Sequence, residues 1–180
     1  MLIRRLGPLV LAVFCGATLL QTVRPPLPKL IYNPSRSAPV GWYRLEPGSH
    51  FNRDDRVAAF APAEARALAS DRDYLPAHIP LIKTVWAVKG DEICHVGDKV
   101  IVAGRPVLKR VSEDRFGRKL PALTGCYILK DDDIFLVSKD VQASFDSRYF
   151  GPVAVSDVLG RVHFLGRFVR RSERLRAGHG

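Results

Sequence analysis

The sequence predicts a mainly β domain that closes on itself, with one short helix inside it and one apolar helix before it. Two observations lead to this prediction: short segments rich in β-branched and aromatic residues alternate with turn signals, and one uncharged apolar stretch lies near the amino terminus. A chain of 180 residues is long enough for one domain and a membrane segment. We therefore divide the chain into residues 1–24, a membrane anchor or signal segment, and residues 25–180, a single folded domain.

The amino-terminal segment has the features of an export signal or a single membrane anchor. Arg4 and Arg5 precede an uncharged stretch from Leu6 to Val23 that is rich in Leu, Val and Ala, and its length is at the lower limit for crossing a bilayer. Signal cleavage near Cys15-Gly16-Ala17 is the alternative, but the apolar run continues beyond it, which favours a retained anchor. The positive-inside bias then predicts a bacterial inner-membrane protein whose folded domain faces the periplasm.

Beyond a proline-rich linker, the domain is predicted to consist mainly of strands. The predicted strands are Leu30–Tyr32, Trp42–Leu45, Arg56–Phe60, Leu81–Val88, Lys99–Val102, Pro106–Leu108, Tyr127–Leu129, Ile134–Val137 and Val162–Leu165. Ala103-Gly104-Arg105 indicates a hairpin between the fifth and sixth of these strands. Pro62 begins a short alanine-rich helix that ends at Ala69.

Composition argues against several classes of function. The net charge is +10, but the basic residues are dispersed except in the cluster from Arg167 to Arg176, and no nucleic-acid-binding motif accompanies them, so no nucleic-acid partner is predicted. The three cysteines form no CxxC, and His95 beside Cys94 does not complete a zinc shell, so we expect no metal and no cofactor.

If the domain is exported, an oxidising compartment permits a disulfide between Cys94 and Cys126; two unrelated buried thiols are the alternative.

The loop from Asn33 to Gly41 is the first candidate for chemistry. It holds Ser35 and Ser37 between two prolines, which stiffen a turn that presents one hydroxyl and one backbone N–H together. Acyl transfer needs that pairing, although most Ser-, Pro- and Gly-rich segments are simple loops. The interpretation therefore depends on finding a base.

Lys83 is the best candidate base. The five histidines lie in no recognisable motif, whereas Lys83 lies inside the apolar strand Leu81–Val88, where burial would favour the neutral amine. A neutral lysine can take the proton of Ser37 and return it to the leaving amine. The alternative is an edge-strand lysine that reaches solvent; Lys89, the competing candidate, lies in a turn.

Three boxes in this order resemble one known family. They are Pro34-Ser35-Arg36-Ser37, the run from Lys83 to Gly90-Asp91, and Ser144-Phe145-Asp146-Ser147-Arg148-Tyr149-Phe150-Gly151-Pro152. With the apolar segment before them, they resemble the signal peptidase I (S26) family of serine-lysine endopeptidases, and most closely its conjugative-transfer branch, the TraF type. The similarity covers essentially the whole chain and implies the closed, strand-rich complex β fold of signal peptidases.

The resemblance implies a role for each matched residue. Ser37 would be the nucleophile and Lys83 the general base and acid, while the Ser35 hydroxyl and the Ser37 backbone N–H would form the oxyanion hole. Ser144 would orient the lysine amine, and Asp146 and Arg148 would pair to hold the third box in place.

Departures from the general family pattern favour the transfer branch. Ala38 stands where general signal peptidases have methionine, Val88-Lys89 replaces Leu-Pro, and Ser138-Lys139-Asp140-Val141 replaces Gly-Asp-Asn-Arg. The Pro39-to-Tyr43 segment and the Cys94 and Cys126 pair also resemble the transfer branch.

The sequence therefore predicts a serine endopeptidase that processes an exported protein. The expected substrate is the propilin of a conjugative transfer or type IV secretion system, which would be cleaved or cyclised, and the expected partners are that substrate, the membrane and components of the secretion system. The alternatives are a general signal peptidase and a non-catalytic assembly factor of the transfer channel.

Overall fold

Within residues 28–167, the part of the chain that the computed structural model describes, eleven strands form two antiparallel sheets. The strands are β1 (Leu30–Asn33), β2 (Gly41–Glu46), β3 (Arg56–Ala59), β4 (Leu81–Ala87), β5 (Glu92–Val96), β6 (Lys99–Val102), β7 (Leu108–Lys109), β8 (Gly125–Ile128), β9 (Asp133–Val137), β10 (Val153–Ala154) and β11 (Val158–Gly166). The helices are α1 (Ala63–Asp71), α2 (Ser147–Phe150) and a 3₁₀ turn (Val155–Asp157). The predicted amino-terminal segment, residues 1–24, lies outside the described residues, among which no helix is long and apolar enough to cross a bilayer.

The larger sheet has the strand order β1-β2-β11-β3-β4-β9-β10. The loop with the two serines joins β1 to β2 at one end of this order, and Lys83 lies on β4, two strands beyond β11. Val57 on β3 pairs with Lys83, and this pairing places the lysine in the interior of the sheet rather than at an edge. Buried Val, Ala, Ile and Leu side chains from β3, β4 and β9 form the core beneath it, together with Phe51 from the loop before β3.

The smaller sheet has the order β7-β6-β5-β8 and packs around a second apolar cluster. Cys94 on β5 lies opposite Cys126 on β8, and the two form a disulfide. His95, the next residue of β5, points into the core, where burial lowers its pKa to about 4 and keeps the ring neutral at physiological pH. This histidine is therefore a packing residue.

The prediction of a mainly β domain is confirmed, and each predicted strand and the short helix has a counterpart. The strands divide between two sheets, each with two edge strands among the described residues, where the sequence predicted a single closed set. The division occurs at the turn around Gly90, because the chain reverses there after β4 and starts the second sheet with β5. Strands β5 and β10 and helix α2 were not predicted.

Candidate active site

One buried side chain organises the loop that holds the two serines. The Asn33 amide donates to the backbone oxygens of Ser35, Ala38 and Pro39 at 2.9, 3.2 and 3.2 Å. The Asn33 side-chain oxygen accepts the Ser35 N–H at 3.1 Å. The Tyr43 hydroxyl donates to the Pro39 oxygen at 2.7 Å from the following strand. The backbone of the loop is thus held in one conformation by neighbours close in sequence.

The two serines contact each other directly. The Ser37 N–H donates to the Ser35 hydroxyl oxygen at 3.2 Å, and the Ser35 hydroxyl donates to Ser37 Oγ at 3.0 Å. Both side chains are half-buried. Because Ser37 Oγ accepts in this arrangement, its own hydroxyl proton stays available for a base.

Lys83 is buried, with 3% of its surface exposed. Its ammonium nitrogen donates to Ser138 Oγ at 2.9 Å and to Ser144 Oγ at 2.6 Å. Burial lowers its pKa from 10.5 to about 8; the charge of Asp146 opposes this shift, and that of Arg148 adds to it. The interpretation of Lys83 as an edge-strand lysine that reaches solvent is therefore wrong. Lys89 is exposed and pairs with Asp131.

The two serines that contact Lys83 are held by one buried ion pair. Asp146 accepts from Arg148 Nε at 2.8 Å and Nη2 at 2.9 Å, and from the Ser138 backbone N–H at 3.0 Å. Arg148 Nη2 also donates to the backbone oxygen of Ser144 at 3.3 Å. Both charged residues are almost fully buried. The pairing of Asp146 with Arg148 fixes the positions of both hydroxyls beside the lysine.

Ser138 was not identified as a site residue from the sequence. It stands where the family pattern places the first residue of Gly-Asp-Asn-Arg, so it was interpreted as a departure from that pattern. Its contact with Lys83 spans 55 positions, which no local pattern encodes. The one sequence signal that could have identified Ser138 is its position directly after the buried strand β9.

A cleft of about 350 Å³ brings together Ser35, Ser37, Lys83 and Ser144. Its remaining walls are largely apolar and include Leu81, Ile82, Leu120 and Phe145. Among the described residues, no hydrogen bond joins Ser37 to Lys83 in this resting arrangement. Catalytic hydrogen bonds are often long without substrate, and they tighten when substrate binds.

A second cleft, of about 390 Å³, also has Ser37 in its lining. Four cationic residues line it, together with one carboxylate, that of Asp140. The cationic residues are Arg36, Arg56, Lys139 and Arg167. Ser37 therefore lines both a largely apolar cleft and a cationic one.

The remaining predicted residues lie away from this site. Cys94 and Cys126 are in the smaller sheet, where they come close to Glu92 in the one cluster of metal-ligand residue types among residues 28–167. Because the two sulfur atoms are bonded to each other, the cluster offers no free thiolate to a metal.

A buried lysine of lowered pKa, a half-buried serine in the same cleft and two adjacent hydrogen-bond donors are the parts that acyl transfer requires. The lysine can act as a base near neutral pH because deprotonation relieves the burial of its charge. The serine can form an ester with an acyl group held in the cleft.

Comparison with known proteins gives a family match and several relatives. The model of the family described as signal peptidase, peptidase S26, matches residues 2–166. A plasmid transfer protein TraF of Escherichia coli is 31% identical over 157 residues, which are 82% of this chain and 89% of the relative. A second TraF of Escherichia coli is 30% identical over 142 residues, 70% of this chain and 76% of that protein. A probable conjugal transfer protein TraF of Sinorhizobium fredii is 33% identical over 138 residues, 71% and 72% of the two chains.

Proposed function

Because the chain belongs to the signal peptidase family, peptidase S26, we propose that it is a serine endopeptidase in which Ser37 is the nucleophile and Lys83 the general base. Family membership and the names of the relatives support a peptidase role in conjugative transfer. The proposed substrate is an exported protein, the propilin of a conjugative transfer or type IV secretion system. A general signal peptidase would act instead on many exported proteins.

The observation that carries the proposal is the environment of Lys83. The lysine is buried, its hydrogen bonds among the described residues go to two hydroxyls rather than to a carboxylate, and it lines the same cleft as Ser37. A lysine kept for stability would be paired with an acid, because an unpaired buried ammonium is costly. Burial therefore makes its neutral form more available near neutral pH than that of an exposed lysine.

The proposed first step forms an ester on Ser37. The neutral Lys83 amine takes the hydroxyl proton, Ser37 Oγ attacks the substrate carbonyl carbon, and the carbonyl oxygen becomes negatively charged. The Ser35 hydroxyl and the Ser37 N–H, which contact each other in the resting structure, turn toward that oxygen and stabilise it. As the carbon–nitrogen bond breaks, the Lys83 ammonium returns the proton to the leaving amine.

The second step decides the product. In one route Lys83 removes a proton from water, and the water attacks the ester and releases a linear product. In the other route Lys83 removes a proton from the substrate's own amino terminus, and this amine attacks the ester and releases a cyclic product. Both routes regenerate the Ser37 hydroxyl and balance the protons.

We also propose that residues 1–24 anchor the enzyme in the inner membrane and that the catalytic domain faces the periplasm. The disulfide between Cys94 and Cys126 supports this location because disulfides persist in oxidising compartments.

The direct test is to process the propilin with purified variants. Ser37→Ala and Lys83→Arg should each lower kcat by at least about 100-fold, since arginine keeps the charge but cannot act as a base. Lys89→Arg, at the exposed lysine, is the matched control and should leave kcat unchanged. Full processing by either site variant would contradict the mechanism.

The pH profile of the wild-type enzyme gives a second test. The base must be neutral, so kcat/KM should rise with pH through about 8 and level off above it. A rate that is already maximal at pH 6 would exclude Lys83 as the base. Mass spectrometry of the product separates the two outcomes, because a cyclic pilin is lighter than the linear one by one water.

A further inference from the structure

The second cleft beside Ser37 differs from the first in charge and in the segments that line it. The segments that lead into Ser37 and Lys83 line the first cleft, and the segments that follow them, Ala38–Val40 and Thr84, line the second, while Arg36 and Ser37 line both. Because Ser37 lines both clefts, an extended peptide that crosses it can place one half in each. One half of the peptide then contacts largely apolar side chains, and the other half contacts mainly cationic ones.

The cations of the second cleft have no ion-pair partner among the described residues. Arg36, Arg56, Lys139 and Arg167 are absent from every salt bridge within residues 28–167, although other exposed cations such as Arg53 and Lys89 have acidic partners. Lys139 also acts electrostatically on the Asp54 carboxylate outside the cleft, but within the lining four cations face the single carboxylate of Asp140, which is an excess of positive charge. Because the lining of the cleft includes Ser37, a group that binds there next to the scissile bond meets that positive charge.

The charge also indicates which half of the substrate the second cleft receives. The acyl half stays attached to Ser37 until the second step, and the largely apolar first cleft, which also contains Ser35, suits that retention. The leaving half must depart before water or an amine enters. Attraction between exposed charges is screened by salt and supports rapid binding and release.

We propose that the second cleft binds the leaving half of the substrate through a carboxylate that lies within a few residues after the scissile bond. This inference rests on the proposed function. The carboxylate comes from an Asp or Glu side chain or from a carboxyl terminus close to the cleavage site. The cleft then acts as a specificity site that favours acidic leaving segments over neutral or basic ones.

Quenched fluorescent peptides with one constant acyl half test the inference on the full-length enzyme in detergent. Three leaving halves carry Asp, Asn or Lys at the same position, each with a free or an amidated carboxyl terminus. We expect kcat/KM for the Asp peptide to exceed that for the Lys peptide by about tenfold at low salt, and the ratio to shrink as salt is raised. A gain from the free terminus alone would identify the terminal carboxylate as the source, and a gain from Asp alone would identify the side chain.

The combined variant Arg56→Gln, Lys139→Gln should reduce the Asp-to-Lys ratio to about one-third or less of its wild-type value. Arg44→Gln is the matched control, because Arg44 is an exposed arginine of β2 that lines neither cleft, and it should leave the ratio unchanged. An equal loss in the control variant would mean that the preference reflects the overall charge of the protein, and would overturn the inference.

Binding without turnover separates this inference from the proposed function. In the Ser37→Ala variant, fluorescence anisotropy of a labelled Asp peptide should give a lower Kd than the Lys peptide gives. Cleavage that depends on Ser37 but shows no preference after the bond, or an acidic preference before it, would overturn the inference and leave the peptidase intact. Absence of any Ser37-dependent cleavage would overturn the proposed function, and this inference with it.

Discussion

The serine loop and the lysine site are built in opposite ways. Asn33 holds the loop through partners two to six residues away, at the partly exposed end of the sheet. Lys83 is held by Ser138 and Ser144, which are 55 and 61 residues away and buried. The proposed nucleophile is thus positioned by local structure and the proposed base by the tertiary fold. Damage to the loop should stay local, whereas damage beneath the lysine should reach the whole domain.

The largest effect is expected from removing the acid beneath the lysine site. Asp146→Ala leaves the Arg148 guanidinium buried without its carboxylate, which should cost about 3 to 5 kcal/mol of unfolding free energy. Urea denaturation measures this loss. Asp131→Ala, which breaks the exposed pair with Lys89, should cost less than about 1 kcal/mol. Equal costs would remove the distinction between the buried and the exposed pair.

The lysine itself should destabilise the fold at neutral pH. Because its pKa is lower in the folded state, the unfolded chain binds more protons between about pH 8 and 10.5, so wild-type stability should rise with pH across that window. Lys83→Met should raise the free energy of unfolding at pH 7 by about 2 kcal/mol and abolish the rise. Urea titrations at several pH values measure both effects, with Lys89→Met as the exposed control. A destabilised Met variant would mean that Lys83 contributes favourable energy.

Damage to the loop should be smaller and confined to catalysis and local order. Asn33→Ala removes the partner of four backbone groups and should cost about 1 to 2 kcal/mol, with a fall in kcat of about tenfold as the loop loses its conformation. The pH at which kcat/KM rises should not move, because Lys83 is untouched. A shift in that pH would show that the loop and the lysine site are coupled. Asn52→Ala, at an exposed position, is the control.

The smallest effect is expected from Ser144→Ala. It removes one acceptor of the lysine ammonium, so kcat should fall about fivefold and the rise of kcat/KM should move to lower pH, since the charged form loses a hydrogen bond. Ser144→Thr keeps the hydroxyl and should restore both the rate and the pH profile. A lower rate with an unmoved pH profile would limit Ser144 to a structural role.

The same contrast explains what could be predicted from the sequence. The serine loop is encoded locally, so its position and a stiff turn were predicted from Pro34, Pro39 and the serines, but the Asn33 side chain that holds it was not identified. The strand with Lys83 was predicted from its β-branched and apolar residues, but its burial depends on β3 and β9 beside it. Ser144 was identified only through the family resemblance, and Ser138 was not identified.

The elements that were missed also depend on distant partners. In strand β5 the side chains of Ile93 and His95 point inward and that of Cys94 points outward. The strand was not predicted because its polar residues interrupt the run of apolar residues typical of a strand. Strand β10 has two residues and exists because it pairs with β9. The second cleft collects charges from positions as distant as Arg36 and Arg167, which the sequence presents only as a dispersed positive charge.

The close approach of two glycines links the nucleophile loop to the cationic cleft. A Cβ on Gly41 would lie 2.5 Å from the Gly166 oxygen, so the backbone at the end of the loop and the backbone at the end of β11 touch. Arg167 directly follows this contact and lines the cleft. Under the proposed role of the cleft, a side-chain change at position 167 would alter leaving-group preference, whereas any side chain at position 41 would collide with the β11 backbone and disturb the serine loop as well.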